Sequence, residues 1–135
     1  MRADAECPRP RKSRSARGLA ALTAGATPIV FGDGSQTRDY VYVGDVADAN
    51  LAALDYHGTD AIFNIGTATE TSVLDLLAEC QRAAGTDAAP ELRPARLGEL
   101  ARSALDRSLA ERELGWRPAT TLDQGLAETL RSIVG

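Results

Sequence analysis

Apolar and polar positions follow two rhythms along this chain, and short elements of both kinds alternate. Residues 19–24 are Ala- and Leu-rich and read as a short helix closed by Gly25. Residues 28–31 (PIVF) read as a strand ended by the turn Gly32-Asp33-Gly34, and the β-branched and aromatic run at 38–43 (RDYVYV) predicts a second strand. Asp45 is then placed to cap a helix running to about Tyr56. The apolar run at 61–66 (AIFNIG) is too short for a helix and has the character of a core strand buried on both faces. Ser72 and Asp75 resemble a capping box, after which Val73, Leu76, Leu77 and Cys80 fall on one helical face until Gly85. A Pro-containing extended segment at 90–94 follows. Asp106 opens a short helix that Gly115 stops, Trp116 reads as a core plug, and a Thr121/Gln124 capping box precedes an amphipathic helix with Leu122, Leu126, Leu130 and Ile133 inward.

Alternating strands and helices predict an α/β fold, yet two or three short strands make a meagre sheet, so the fold reads as incomplete. A length of 135 residues limits the chain to one domain, and 44% hydrophobic with 25% charged residues excludes a disordered or fibrous chain. No apolar stretch is long enough to span a membrane and no apolar leader follows the N-terminal charges, which predicts a cytoplasmic protein. Charge is uneven: residues 1–17 carry a net +4 and the remainder −8. The Pro/Arg/Ser-rich segment 7–18 has no aromatic interleaving and no apolar period, so residues 1–18 read as a basic tail, rather than a nucleic-acid surface, ahead of a domain at 19–135. Cys7 and Cys80 support neither a disulfide framework nor a zinc site. Lys12, in that tail, is the only lysine, so lysine-dependent catalysis has no candidate in the folded part.

The densest chemistry lies at 31–50 (FGDGSQTRDYVYVGDVADAN), followed in order by FNIGT at 63–67, R-x-G-E at 96–99 and LDRSLAERELGWRPATTLDQGL at 105–126. Together these blocks resemble the extended short-chain dehydrogenase/reductase family, the NAD-dependent sugar-nucleotide epimerases and dehydratases of the UDP-glucose 4-epimerase kind, over about residues 19–134. The resemblance implies the C-terminal, substrate-binding part of an extended Rossmann-type epimerase, without the N-terminal Rossmann half. No glycines stand in the G-x-x-G-x-x-G or G-x-G-x-x-G spacing that cradles a dinucleotide pyrophosphate, and Pro8 stands where a Tyr-x-x-x-Lys ending at Lys12 needs its tyrosine. We therefore expect no catalytic residue, no bound NAD and no metal in this chain alone, although NAD is implied for the full-length enzymes.

The resemblance carries over to substrate binding. Arg38 of R-D-Y and Arg96 of R-x-G-E match the arginines that hold the nucleotide diphosphate, a role suited to the two aligned donors of a guanidinium. Glu99 would face the ribose or orient Arg96. The alternative for either arginine is a surface ion pair with Asp39 or Glu99. Tyr40 and Tyr42 read as strand packing, and His57 as a solvated loop residue. Asn64 and Gly66 match a strand-end N-x-G, with Ala68 where a glycine is often found. At 102–104 the chain has Arg-Ser-Ala where an aromatic is common, which leaves the sugar unread. The implied ligand is a UDP-sugar. The competing reading is a non-enzymatic module that completes a separately encoded Rossmann partner through its uncovered apolar faces.

Overall fold

Caps and apolar spacing build the helices of the computed structural model, which describes residues 14–60 and 62–134. The order is α1 (Arg14–Thr23), β1 (Ile29–Phe31), β2 (Thr37–Arg38), α2 (Val43–Leu54), β3 (Thr71–Ser72), α3 (Val73–Ala84), β4 (Glu91–Arg93), α4 (Ser108–Leu114) and α5 (Leu122–Val134). At α3 the Ser72 hydroxyl accepts the Asp75 N–H at 3.0 Å, and Gly85 ends the helix in the left-handed conformation at φ 68°. Gly115 ends α4 in the same way at φ 63°. The Thr121 N–H donates to Gln124 Oε1 at 3.1 Å, one half of the predicted box at the start of α5.

The strands form two separate pairs. β1 and β4 are parallel, with Val30 opposite Leu92, and β2 and β3 are antiparallel, with Arg38 opposite Thr71. Two clusters of side chains fill the interior. Leu19 and Leu22 of α1 meet Cys80 of α3 and Leu126 of α5, while Ala49 of α2 meets Ala110 and Trp116, with Phe63 and Ile65 packed against them. The Tyr56 ring stands edge-on to Phe63 at 5.1 Å.

Four expectations need correction. The first helix begins at Arg14 rather than at residue 19; residues 1–13 lie outside the described part. The run 38–43 pairs only through Arg38: its partner β3 is two residues long, and helix α2 has already begun at Val43. Asp45 does not cap α2: the cap residue is Tyr42, without a side-chain bond, and Asp45 is buried within the first turn. Its carboxylate accepts the Thr120 N–H and hydroxyl at 3.1 and 3.0 Å, and its carbonyl accepts Trp116 Nε1–H at 2.9 Å. Finally, residues 62–66 form no ladder among the described residues; Phe63 and Ile65 pack inward while Ile62 is 81% exposed. Residue 61 of that run lies outside the described part.

Helix α2 is apolar on two sides. Ala49 faces the core, yet Val43, Leu51 and Leu54 are 74%, 61% and 77% exposed. No helix among the described residues is long and apolar enough to cross a membrane.

Candidate functional site

Arg38 emerges from the end of β2, and Arg96 from the segment that follows β4. Both line one open cleft of about 620 Å³ whose other walls are Asp39, Tyr40 and residues 97–100. The fold thus brings Arg38 together with Arg96 and Glu99, the last of which lies 61 residues away from it in sequence.

Each is held differently. Arg38 Nη1 donates to the carbonyls of Thr37 at 2.6 Å and Leu100 at 2.7 Å, and Nη2 reaches Glu99 Oε1 at 3.4 Å. Those bonds leave its Nε–H and one Nη2–H without a protein partner among the described residues. The Arg96 guanidinium carbon lies over the Phe31 ring, 3.9 Å from its centroid. A cation–π contact uses no N–H hydrogen bond, and no Arg96 N–H donates to a protein acceptor among the described residues. Glu99 thus takes up the ion-pair alternative for Arg38, at long range and partly exposed.

Asp39 does not take it up. Its Oδ1 accepts the Thr67 N–H at 2.8 Å and the Thr67 hydroxyl at 2.5 Å, and its Oδ2 accepts the N–H groups of Ala68 at 3.0 Å and Leu105 at 3.3 Å. A Cβ on Gly66 would sit 2.6 Å from that Oδ2, so the loop can approach the carboxylate only as glycine. Ala68, at φ 57°, adopts the left-handed conformation that a glycine would take without strain.

Sequence reading missed three further side chains at this site. Phe31 supplies the platform for Arg96. Beyond the cleft, Arg102 forms a two-pronged pair with Glu70, Nε to Oε2 at 3.0 Å and Nη2 to Oε1 at 2.8 Å, and this pairing, with the Thr37 hydroxyl at 2.8 Å, holds the Glu70 carboxyl below its usual range. The Glu–Arg separation of 32 residues hides the pair from any local pattern.

Other features carry less. A second groove of about 610 Å³ between α1, α3, α5 and residues 39–43 has largely apolar walls, with Tyr42, Leu76 and Leu122 among them. His57 is exposed, and no cluster of His, Cys, Asp and Glu among the described residues could hold a metal ion. The one close glycine pair after a strand, Gly32 and Gly34, leads into β2 rather than a helix N-terminus, so these residues do not fit a dinucleotide pyrophosphate. Burial pushes the Cys80 thiol up to about 11, which keeps it protonated and unreactive at neutral pH.

Comparison with known proteins gives one picture. The chain is 47% identical over 110 residues to UDP-glucose 4-epimerase of Mycolicibacterium smegmatis, a match covering 82% of this chain and 35% of that protein. It is similar in structure to the UDP-glucose 4-epimerase of Thermotoga maritima solved with UDP-glucose, with a TM-score of 0.85 at 37% identity over 93% of this chain and 40% of that one. The Thermus thermophilus UDP-glucose 4-epimerase solved with NAD gives a TM-score of 0.76 at 33% identity, over 90% and 40% of the two chains. The chain therefore spans about a third of the length of the curated relatives it matches. The model of the GDP-mannose 4,6-dehydratase family matches residues 9–129. With its α/β elements arranged as in these epimerases, the chain belongs to the GDP-mannose 4,6-dehydratase family of sugar-nucleotide epimerases and dehydratases.

Proposed function

We propose that this chain is the substrate-binding portion of an NAD-dependent sugar-nucleotide 4-epimerase of the UDP-glucose/UDP-galactose type, and that the cleft between Arg38 and Arg96 takes the nucleotide diphosphate. The observation that carries this reading is that Arg38 and Arg96 line one cleft, each with N–H groups that meet no protein acceptor among the described residues. Two fixed donors approaching from different walls suit a diphosphate, whose negative oxygens lie on both sides of its bridge. Glu99 steadies Arg38 and stands close enough to the cleft to accept from a ribose hydroxyl. The similarity to an epimerase solved with UDP-glucose supports the same ligand class here.

NAD has no site in this chain on the same reading, and the hydride transfer that such epimerases perform is not carried out by it alone. The sequence holds neither the glycine spacing for the pyrophosphate nor a Tyr-x-x-x-Lys pair.

Calorimetric titration of the 135-residue chain with UDP and with NAD tests both halves. UDP is expected to bind weakly and NAD not at all. Arg38→Ala and Arg96→Ala should each weaken UDP by about 1.5–3 kcal/mol, the range for a hydrogen bond to a charged group, with the fold intact. If both variants hold UDP unchanged, the assignment is wrong.

A second reading, completion of a separately encoded Rossmann partner, is favoured by the exposed side of α2 and by the unpaired extended run at 62–66 with Ile62 outward. Such a partner would co-purify as a stoichiometric band.

A further inference from the structure

The segment 96–102 brings Arg96, Glu99 and Leu100 to the cleft, yet its apolar side chains do not anchor it. Leu97 is fully exposed and Leu100 is 65% exposed. A loop with so little buried surface opens locally at small cost unless polar contacts hold it. Three do so. The Leu100 carbonyl accepts from Arg38, the Ala101 carbonyl accepts the Thr37 N–H at 2.9 Å, and Arg102 grips Glu70 with two parallel bonds.

The third contact differs in kind. Glu70 directly precedes β3, and its Oε2 also accepts the Thr37 hydroxyl of β2 at 2.8 Å. One carboxylate therefore joins β2, the approach to β3 and the far end of the 96–102 segment. Arg38 lies next to Thr37 on the same strand, so whatever fixes the segment against β2 also fixes Arg96 relative to Arg38.

We propose that Arg102 and Glu70 are positioning residues: their pair tethers the 96–102 segment so that Arg96 and Glu99 face Arg38 across the cleft. The proposal rests on the cleft being a diphosphate site and deepens that reading. An exposed ion pair adds little to global stability, but two-pronged geometry is the exception in which an arginine carboxylate pair orders its surroundings. The effect is therefore local, on the order of one loop and one ligand. Since Arg102 is 77% exposed, the tether should also weaken as salt rises.

The test compares the full chain with Arg102→Ala, Glu70→Gln and the exchanged pair Glu70→Arg/Arg102→Glu, reading amide hydrogen exchange and UDP titration. Either single substitution is expected to speed exchange of the Thr37 amide by about tenfold or more and to weaken UDP by about five- to tenfold, with α3 and α5 amides unmoved. The exchanged pair should restore most of both, which loss of a merely structural residue would not allow. Thr37 exchange that stays at the wild-type rate in Arg102→Ala overturns the tether, as does an exchanged pair no better than the single variants. A wild-type chain that takes no UDP overturns the nucleotide reading instead, and the exchange arm alone then decides the tether.

Discussion

Asp39 divides two carboxylate oxygens among four donors, three of them the backbone N–H groups of Thr67, Ala68 and Leu105. Asn at this position would turn an NH₂ toward at least one of those donors. Asp39→Asn is therefore expected to cost about 1–3 kcal/mol, the penalty for a donor left unpaired, measured by urea unfolding. Phe31 offers a milder change. Phe31→Leu keeps an apolar side chain beneath Arg96 but removes the ring face, and UDP affinity should fall by about 0.5–1 kcal/mol with unfolding little altered. Cys80 gives a pH dependence. Its thiol is neutral in the fold up to about 11 but ionises from 9.0 when unfolded, so stability is complete below the lower value and is lost as pH rises toward the upper one. At about 1.4 kcal/mol per unit, the loss is bounded near 3 kcal/mol. Cys80→Ala should flatten that part of the pH profile, and a wild-type curve already flat there would contradict the assignment.

Single elements depend on caps and on one well-placed side chain each. Ser72→Ala removes the cap of α3 and should cost about 1 kcal/mol. Leu19 is fully buried between α1, α3 and α5, and Leu19→Ala should cost about 2–5 kcal/mol in thermal unfolding. These caps were legible in the sequence because capping acts over three or four residues. So were the face of α3, the strand at 29–31 and the Trp116 plug, whereas β4 was legible only as an extended segment. What was illegible depends on distant partners. The Asp45 carboxylate looked like a cap because Thr120, which binds it, lies 75 residues away. Residues 62–66 looked like part of a strand because the apolar run they belong to is too short for a helix, but a ladder needs a neighbour and none stands beside them in the described structure. At the site, motif spacing pointed to Arg38, Arg96 and Glu99, whereas Phe31, Glu70 and Arg102 carry no signature of their own.

At the scale of the whole molecule, the apolar side of α2 and Ile62 are open to solvent, so the isolated chain is expected to associate with itself in a concentration-dependent way. Sedimentation that stays monomeric at high concentration would count against this. The interior is also split. One buried cluster joins α1, α3 and α5, and the other gathers around Ala49, Ala110 and Trp116. Because the single tryptophan of the chain sits in the second cluster, its fluorescence is an optical reporter for that half alone, while most of the far-ultraviolet ellipticity comes from helices of the other. If the halves melt separately, the two signals will trace different curves from one sample, and the gap between them measures how strongly the clusters are coupled.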